Sequence, residues 1–210
     1  MQTYRSGPPP SLRLWLLPLQ LGPPAGLQAR EKALGPKHID AVTSIDNFGT
    51  VLERQGKYEE AEAMHRRALE GYEEVLGLGH VDTLTSVNNL GMVLVSQGKY
   101  GEVEATHRRA LKGSEKVLGL EHLDTLTSVS QLGTVLLRQG KYEEAEAIHW
   151  RALEGREKVL GLEHPDTLTI VSQLGTVLLR QGKYKEAEAM HRRAQRESTR
   201  AEAPRHACQR

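Results

Sequence analysis

The chain has 210 residues, 38% hydrophobic but only 4% aromatic, with a formal charge of +1. That length holds one domain or a short array, and the shortage of aromatics favours packing through Leu, Val and Ala over an aromatic-rich sheet sandwich. Arg5, Arg13 and Arg30 give residues 1–30 a charge of +3 and six arginines against Glu197 and Glu202 give residues 191–210 a charge of +4, which leaves −6 for residues 31–190 and argues against nucleic acid as the main ligand.

Residues 1–29 are expected to be a disordered Pro-rich leader or a wrongly assigned segment. The apolar run from Leu12 to Leu21 is broken by Pro18 and followed by Gly22-Pro23-Pro24, so it only faintly imitates a secretory or organelle leader. It also falls short of the ~20 apolar residues that cross a bilayer.

From residue 30 to 195 the chain repeats with a period of 42 residues. Leu34-Gly35, Leu76-Gly77, Leu118-Gly119 and Leu160-Gly161 open units 34–75, 76–117, 118–159 and 160–195. Fixed self-similarity of this length marks a stack in which each small unit buries its apolar face only against its neighbours. The third and fourth units differ at five of their first 35 positions, which leaves little room for an active site of unique residues. Recognition suits such a surface better than catalysis.

Within the third unit, Leu126, Val129, Leu132, Gly133 and Leu136 recur at three- and four-residue steps, which predicts a helix from about Asp124 to Arg138. In the fourth unit Pro165 and Asp166 mark the start, through a preset backbone angle and a negative charge near the helix N-terminus. Gln139-Gly140-Lys141 then reverses the chain, and Tyr142, Ala145, His149, Ala152 and Leu153 set the buried stripe of a second helix. Gly133, Ala145 and Ala152 recur as small residues where two helices must approach closely.

The second unit departs from this pattern. Gly101 and Val103 stand where the other units have a charged residue and alanine, and they predict the softest internal unit. Arg30-Glu31-Lys32-Ala33-Leu34-Gly35 echoes Arg156 to Gly161, as the last turn of a preceding unit would. No polar capping helix is evident at either end, so either self-association through uncapped ends or status as a fragment of a longer array is expected. Residues 196–210 are expected to be a disordered basic tail. Its Cys208 is the chain's only cysteine, so no intrachain disulfide forms, and a reducing, cytoplasmic setting follows.

Leu-Gly within the first helix, Gly-Lys-Tyr at the turn, and Glu-Ala followed seven residues later by Ala-Leu resemble the tetratricopeptide repeat. The 42-residue period, with Leu-Gly-Leu-Glu-His-Pro-Asp-Thr before the first helix, resembles the kinesin-light-chain subtype and the arrays that end many fungal nucleotide-binding signalling proteins. The resemblance covers Leu34 to Ala194. It implies an all-α, right-handed superhelical solenoid of four helix hairpins, a non-catalytic scaffold that binds a partner protein or extended peptide. Alternatives are a ligand-sensing fragment of a nucleotide-binding signalling protein, or an enzyme with an unrecognised site outside the repeats.

In such arrays the first helices line a concave groove. The resemblance therefore implies groove positions at Asn47, Thr50 and Arg54 in the first unit and Asn88, Asn89 and Met92 in the second. Ser130, Gln131, Thr134 and Arg138 follow in the third, with Ser172, Gln173, Thr176 and Arg180 in the fourth. Thr43, Asp46, Thr85 and Ser96 flank them. Asn and Gln side chains offer the donor and acceptor that peptide amides need, and each arginine can grip a carboxylate with two parallel bonds. The bland alternative is a solvated helix face. Lysine is absent from these positions, which speaks against the lysine-and-asparagine carboxylate clamp of chaperone-binding relatives.

Other chemistry finds no footing. Eight of the nine histidines are locked to the repeat, as packing or capping would require, and no pair has zinc-ligand spacing with an acid, so no metal is expected. Gly-Lys is followed by Tyr, not Ser or Thr, so no phosphate loop or nucleotide cofactor is expected. Trp150 breaks the repeat where Arg66, Arg108 and Arg192 stand, as a partner anchor or a partly buried side chain.

Overall fold

A computed structural model describes residues 25–207, with side chains from 25 to 200. The leader expected over 1–29 therefore lies outside the described residues except for 25–29, which open a helix. The described residues form nine helices and no strand: α1 (Ala25–Leu34), α2 (Ile39–Arg54), α3 (Tyr58–Leu76), α4 (Val81–Ser96), α5 (Tyr100–Leu118), α6 (Leu123–Arg138), α7 (Tyr142–Leu160), α8 (Pro165–Arg180) and α9 (Tyr184–Ala207). After α1 they pair as hairpins α2–α3, α4–α5, α6–α7 and α8–α9, each packed on the next, which makes an all-α solenoid.

Local sequence explains each helix boundary. His38, His80, His122 and His164 are the N-caps of the first helices, where each imidazole Nδ1 accepts the amide of Asp40, Asp82, Asp124 or Asp166 at 3.2 Å. That satisfies one of the orphan donors of the opening turn. Each first helix ends at a glycine in the left-handed region, such as Gly140 at φ 77°, which lets the second helix fold back.

The other histidine set explains the Leu-Gly pairs. His65, His107, His149 and His191 lie in the second helices against Gly49, Gly91, Gly133 and Gly175 of the first, and a Cβ on any of these glycines would come within 2.9 Å of the facing ring. Glycine here makes room for an imidazole. The sequence suggested close helix approach alone.

The core is shared between units. One apolar cluster joins Leu111 of the second unit to Val129, Leu132, Leu153, Ile170 and Leu174 of the third and fourth, and another joins Leu69 of the first to Val135 of the third through the second. Removing such a buried leucine costs about 2–5 kcal/mol, charged to two units at once. Charges repeat the theme on the second helices. Arg66 and Arg108 reach Glu102 and Glu144 one unit on, while Lys99, Lys141 and Lys183 reach back to Glu62, Glu104 and Glu146 at 2.7–2.8 Å. The hydrogen-bonded Lys141 ammonium holds the Glu104 carboxyl at about 2. Trp150 interrupts the arginine row and is 42% exposed.

The second hairpin, α4–α5, packs less closely than the other three. Val103 is fully buried at the position that holds alanine elsewhere, and Gly101 sits exposed inside α5 with open space around it.

The two ends differ from each other. α1 lies on α2 as a preceding second helix would, with Leu27 buried, Arg30 donating to Ser44 at 2.7 Å and Glu31 paired with Arg67. The first unit is thus covered. In α9 the counterparts of Leu27 and Glu31 are Gln195 and Thr199. The segment expected to be a disordered tail from residue 196 instead continues α9 to Ala207, although Pro204 lies within it.

Candidate functional site

The first helices α2, α4, α6 and α8 carry every expected groove residue, and hydrogen bonds lace them in pairs. Between α2 and α4, Ser86 Oγ donates to Asp46 Oδ1 at 3.2 Å and Asn89 Nδ2 to Oδ2 at 3.0 Å, while His65 Nδ1 meets Oδ1 at 2.7 Å from below. Asp46 is buried by these partners. Between α6 and α8, Ser130 Oγ donates to Gln173 Oε1 at 3.1 Å. Among the described residues no such bond joins α4 to α6, and there the face opens.

The opening is a pocket of about 220 Å³. Asn88 and Met92 of α4 stand on one side, and Gln131, Thr134 and Arg138 of α6 on the other, with Val95 and Val135 between and His107 and Val103 of α5 lining it as well. Gly91 exposes the His107 ring to this space. Burial pushes the His107 imidazole down to about 4, so it is a neutral hydrogen-bonding ring near pH 7. Five of the fourteen expected residues, Asn88, Met92, Gln131, Thr134 and Arg138, therefore meet in one place. The remaining nine do not line this pocket.

Their surroundings vary. Asn47, Arg54, Ser172, Thr176 and Arg180 are exposed, Thr50 and Gln173 are half-buried, and Ser130 is buried. Thr50, Thr134 and Thr176 donate their hydroxyls to the carbonyls of Asp46, Ser130 and Ser172, one turn back, which leaves each oxygen free only to accept. Asn89 is committed to Asp46. The half-exposed Met92 side chain takes the place of these threonines and gives the second unit an apolar lip.

Sequence reasoning missed His107, Val95, Val103 and Val135. The signal was present in Gly91 and Val103: a missing side chain over a ring, beside an oversized one at the helix crossing.

Asp46, His65 and Ser86 do not form a nucleophile relay. Both Ser86 and His65 bond the same carboxylate, and His65 Nε2 is buried without a partner instead of facing a hydroxyl. Among the described residues no cluster of three His, Cys, Asp or Glu side chains could hold a metal ion, and no helix is long and apolar enough to cross a membrane.

Comparison with known proteins agrees with this architecture. The tetratricopeptide repeat family model matches residues 25–74, 44–116, 82–156 and 124–196, and the sequence matches no curated protein. Among solved structures the chain is similar to a putative kinesin light chain of Podospora anserina with nearly identical TPR-like repeats, with TM-score 0.71 and 20% identity over 83% of this chain and 82% of that one. BtubC (BKLC) of P. vanneervenii gives TM-score 0.66 at 20% identity over 82% and 77%. Apo RapI gives 0.68 at 16% over 87% and 65%, and the Rap protein solved with competence and sporulation factor gives 0.63 at 15% over 78% and 44%, so this chain spans less than half of the latter. The solenoid thus has the fold of the kinesin-light-chain-like arrays, and the chain belongs to the tetratricopeptide repeat family.

Proposed function

We propose that the chain is a non-catalytic protein-interaction scaffold that captures an extended peptide along α2, α4, α6 and α8. The observation that carries this reading is the opening between α4 and α6, where an apolar wall of Met92, Val95 and Val135 is rimmed by Asn88, Gln131 and Arg138. Its 220 Å³ lies below the roughly 300–1,000 Å³ of a typical small-molecule site, so it suits one side chain of a longer ligand better than a whole cofactor. Asn88 and Gln131 supply amide donors and acceptors for the main chain on either side. Arg54, Arg138 and Arg180 are exposed and meet no acid among the described residues, which suits a ligand that carries carboxylates. A Rap protein of this fold solved in complex with competence and sporulation factor supports ligand capture by such an array.

The test is to select peptides from a randomised display library on the intact chain and measure their affinity for Met92→Arg and for Gln131→Ala/Arg138→Ala. Loss of about tenfold or more in each, with unchanged helicity, is expected. Enriched peptides that bind both variants like the parent chain would remove the pocket from the reading.

A further inference from the structure

At Trp150 the repeat gives up a bond between units. Where the first unit meets the second, Arg66 of α3 is clasped between Glu62, one turn back, and Glu102 of α5. Where the second meets the third, Arg108 of α5 is clasped in the same way, by Glu104 at 2.8 Å and by Glu144 of α7 at 2.9 Å. The seam between the third and fourth units keeps both acids, Glu146 on α7 and Glu186 on α9, but the residue that should join them is tryptophan. Glu146 is still engaged, by Lys183 at 2.8 Å and by the Trp150 indole N–H. Glu186 is exposed and has no ion pair among the described residues.

The surroundings do not make good the loss. Glu154, one turn beyond Trp150, is exposed and likewise without an ion pair among the described residues. The cations around the seam are held elsewhere, Lys183 by Glu146, Lys158 by Glu121 and Arg193 by Glu157. Lys185 adjoins Glu186 in sequence, but adjacent helix positions do not share a face. The third seam therefore retains a carboxylate that its two predecessors fill with a guanidinium, and sets an exposed indole at the position from which that guanidinium would come.

We propose that Trp150 and Glu186 form a docking site for an arginine of a partner protein, on the second helices and apart from the first-helix face that carries the candidate groove. The incoming guanidinium lies flat on the indole and turns its N–H fork to Glu186, supplying from outside what Arg66 and Arg108 supply within the chain. Both halves of the site select for arginine. The ring face attracts a delocalised cation, and the carboxylate takes two parallel bonds from a planar fork. A lysine brings only a compact, strongly hydrated point charge to the same pair. An apolar side chain on the indole would desolvate Glu186 without giving it a partner.

Titration of the full chain with acetyl-Gly-Arg-Gly amide tests this, in a Trp15→Phe background so that Trp150 gives the one indole signal. A saturable shift of the indole N–H resonance is expected, with binding about three- to fivefold weaker for Glu186→Gln. The citrulline analogue, which keeps the shape of arginine and loses its charge, should not saturate, and the lysine analogue should bind less tightly than the arginine peptide. Trp150→Arg adds a readout that needs no ligand. Its guanidinium should pair with Glu186, so Glu186→Gln should lower the thermal midpoint further in that variant than in the parent chain. No saturable shift with the arginine peptide, parental affinity in Glu186→Gln, equal binding of the lysine and arginine peptides, or the same response to Glu186→Gln with and without Trp150→Arg would each overturn the proposal.

Discussion

Replacing Gly133 with alanine tests the central packing claim. The new Cβ would stand 2.8 Å from both Cε1 and Nε2 of His149 and 3.0 Å from Nδ1, so it would press on the ring as a whole. His149 is fully buried and has no solvent to swing into. Overpacking of this kind costs about 1–3 kcal/mol, while alanine in place of glycine within a helix returns about 1 kcal/mol, so the net change should run from near zero to about 2 kcal/mol of destabilisation. Gly101→Ala is the control. That glycine is exposed in the first turn of α5 and nothing lies within 4 Å of the added Cβ, so only a propensity gain remains, at most the roughly 1 kcal/mol of a helix interior. Gly101→Ala should therefore raise the thermal midpoint and Gly133→Ala should leave it unchanged or lower it, a separation of up to about 3 kcal/mol. His149→Ala in the Gly133→Ala background should recover part of the clash. If Gly133→Ala stabilises the chain as much as Gly101→Ala, the imidazole does not fill the space that glycine leaves.

Acid should weaken the array early. Burial pushes the His107 and His149 imidazoles down to about 4, so the folded state favours their neutral forms. The stability this confers is complete above the unfolded value near 6.5 and is lost as pH falls towards 4, on the order of 3 kcal/mol for each ring. Denaturation midpoints measured from pH 7 to 4 should drop steeply, and His149→Gln should flatten the curve; an unchanged slope in that variant contradicts the assignment. Amide hydrogen exchange should be fastest, among the internal units, in α4 and α5, because Gly101 weakens α5 and Val103 occupies an alanine position. Slower exchange there than in α6 and α7 would show that the wider crossing carries no energetic cost.

Much of the fold was legible because one unit's grammar is repeated four times. The first helix expected from about Asp124 runs from Leu123 to Arg138, and the turn glycines have the positive φ that the reversal demands. The pairing of Gly133 with His149 was not legible, since it links residues 16 apart on different helices and no single-helix pattern displays it. Glutamates near a helix start compensate the helix dipole, which is all that their position in the sequence suggests. Glu144 and Glu146 also reach Arg108 and Lys183 of the neighbouring units, at separations of 36 and 37 residues that helical spacing does not reveal. Groove candidates were named from resemblance unit by unit, which treats the units as equivalent. Side chains broke that equivalence: Asp46 draws Asn89 and Ser86 to itself, Ser130 engages Gln173, and the pocket opens between α4 and α6, where neither bond exists.

The reach of each lysine and arginine into the adjoining unit has a bearing on how such a chain lengthens. A copied segment of 42 residues inserted in tandem arrives with one half of every bond on its leading side and the complementary half on its trailing side, so both seams close without fresh mutations. Duplication is thereby made nearly neutral, and divergence can follow at leisure on the faces no neighbour touches. Trp150 is the exception: copying its unit would carry the gap in the arginine row forward, leaving a mark by which the order of past duplications could be read.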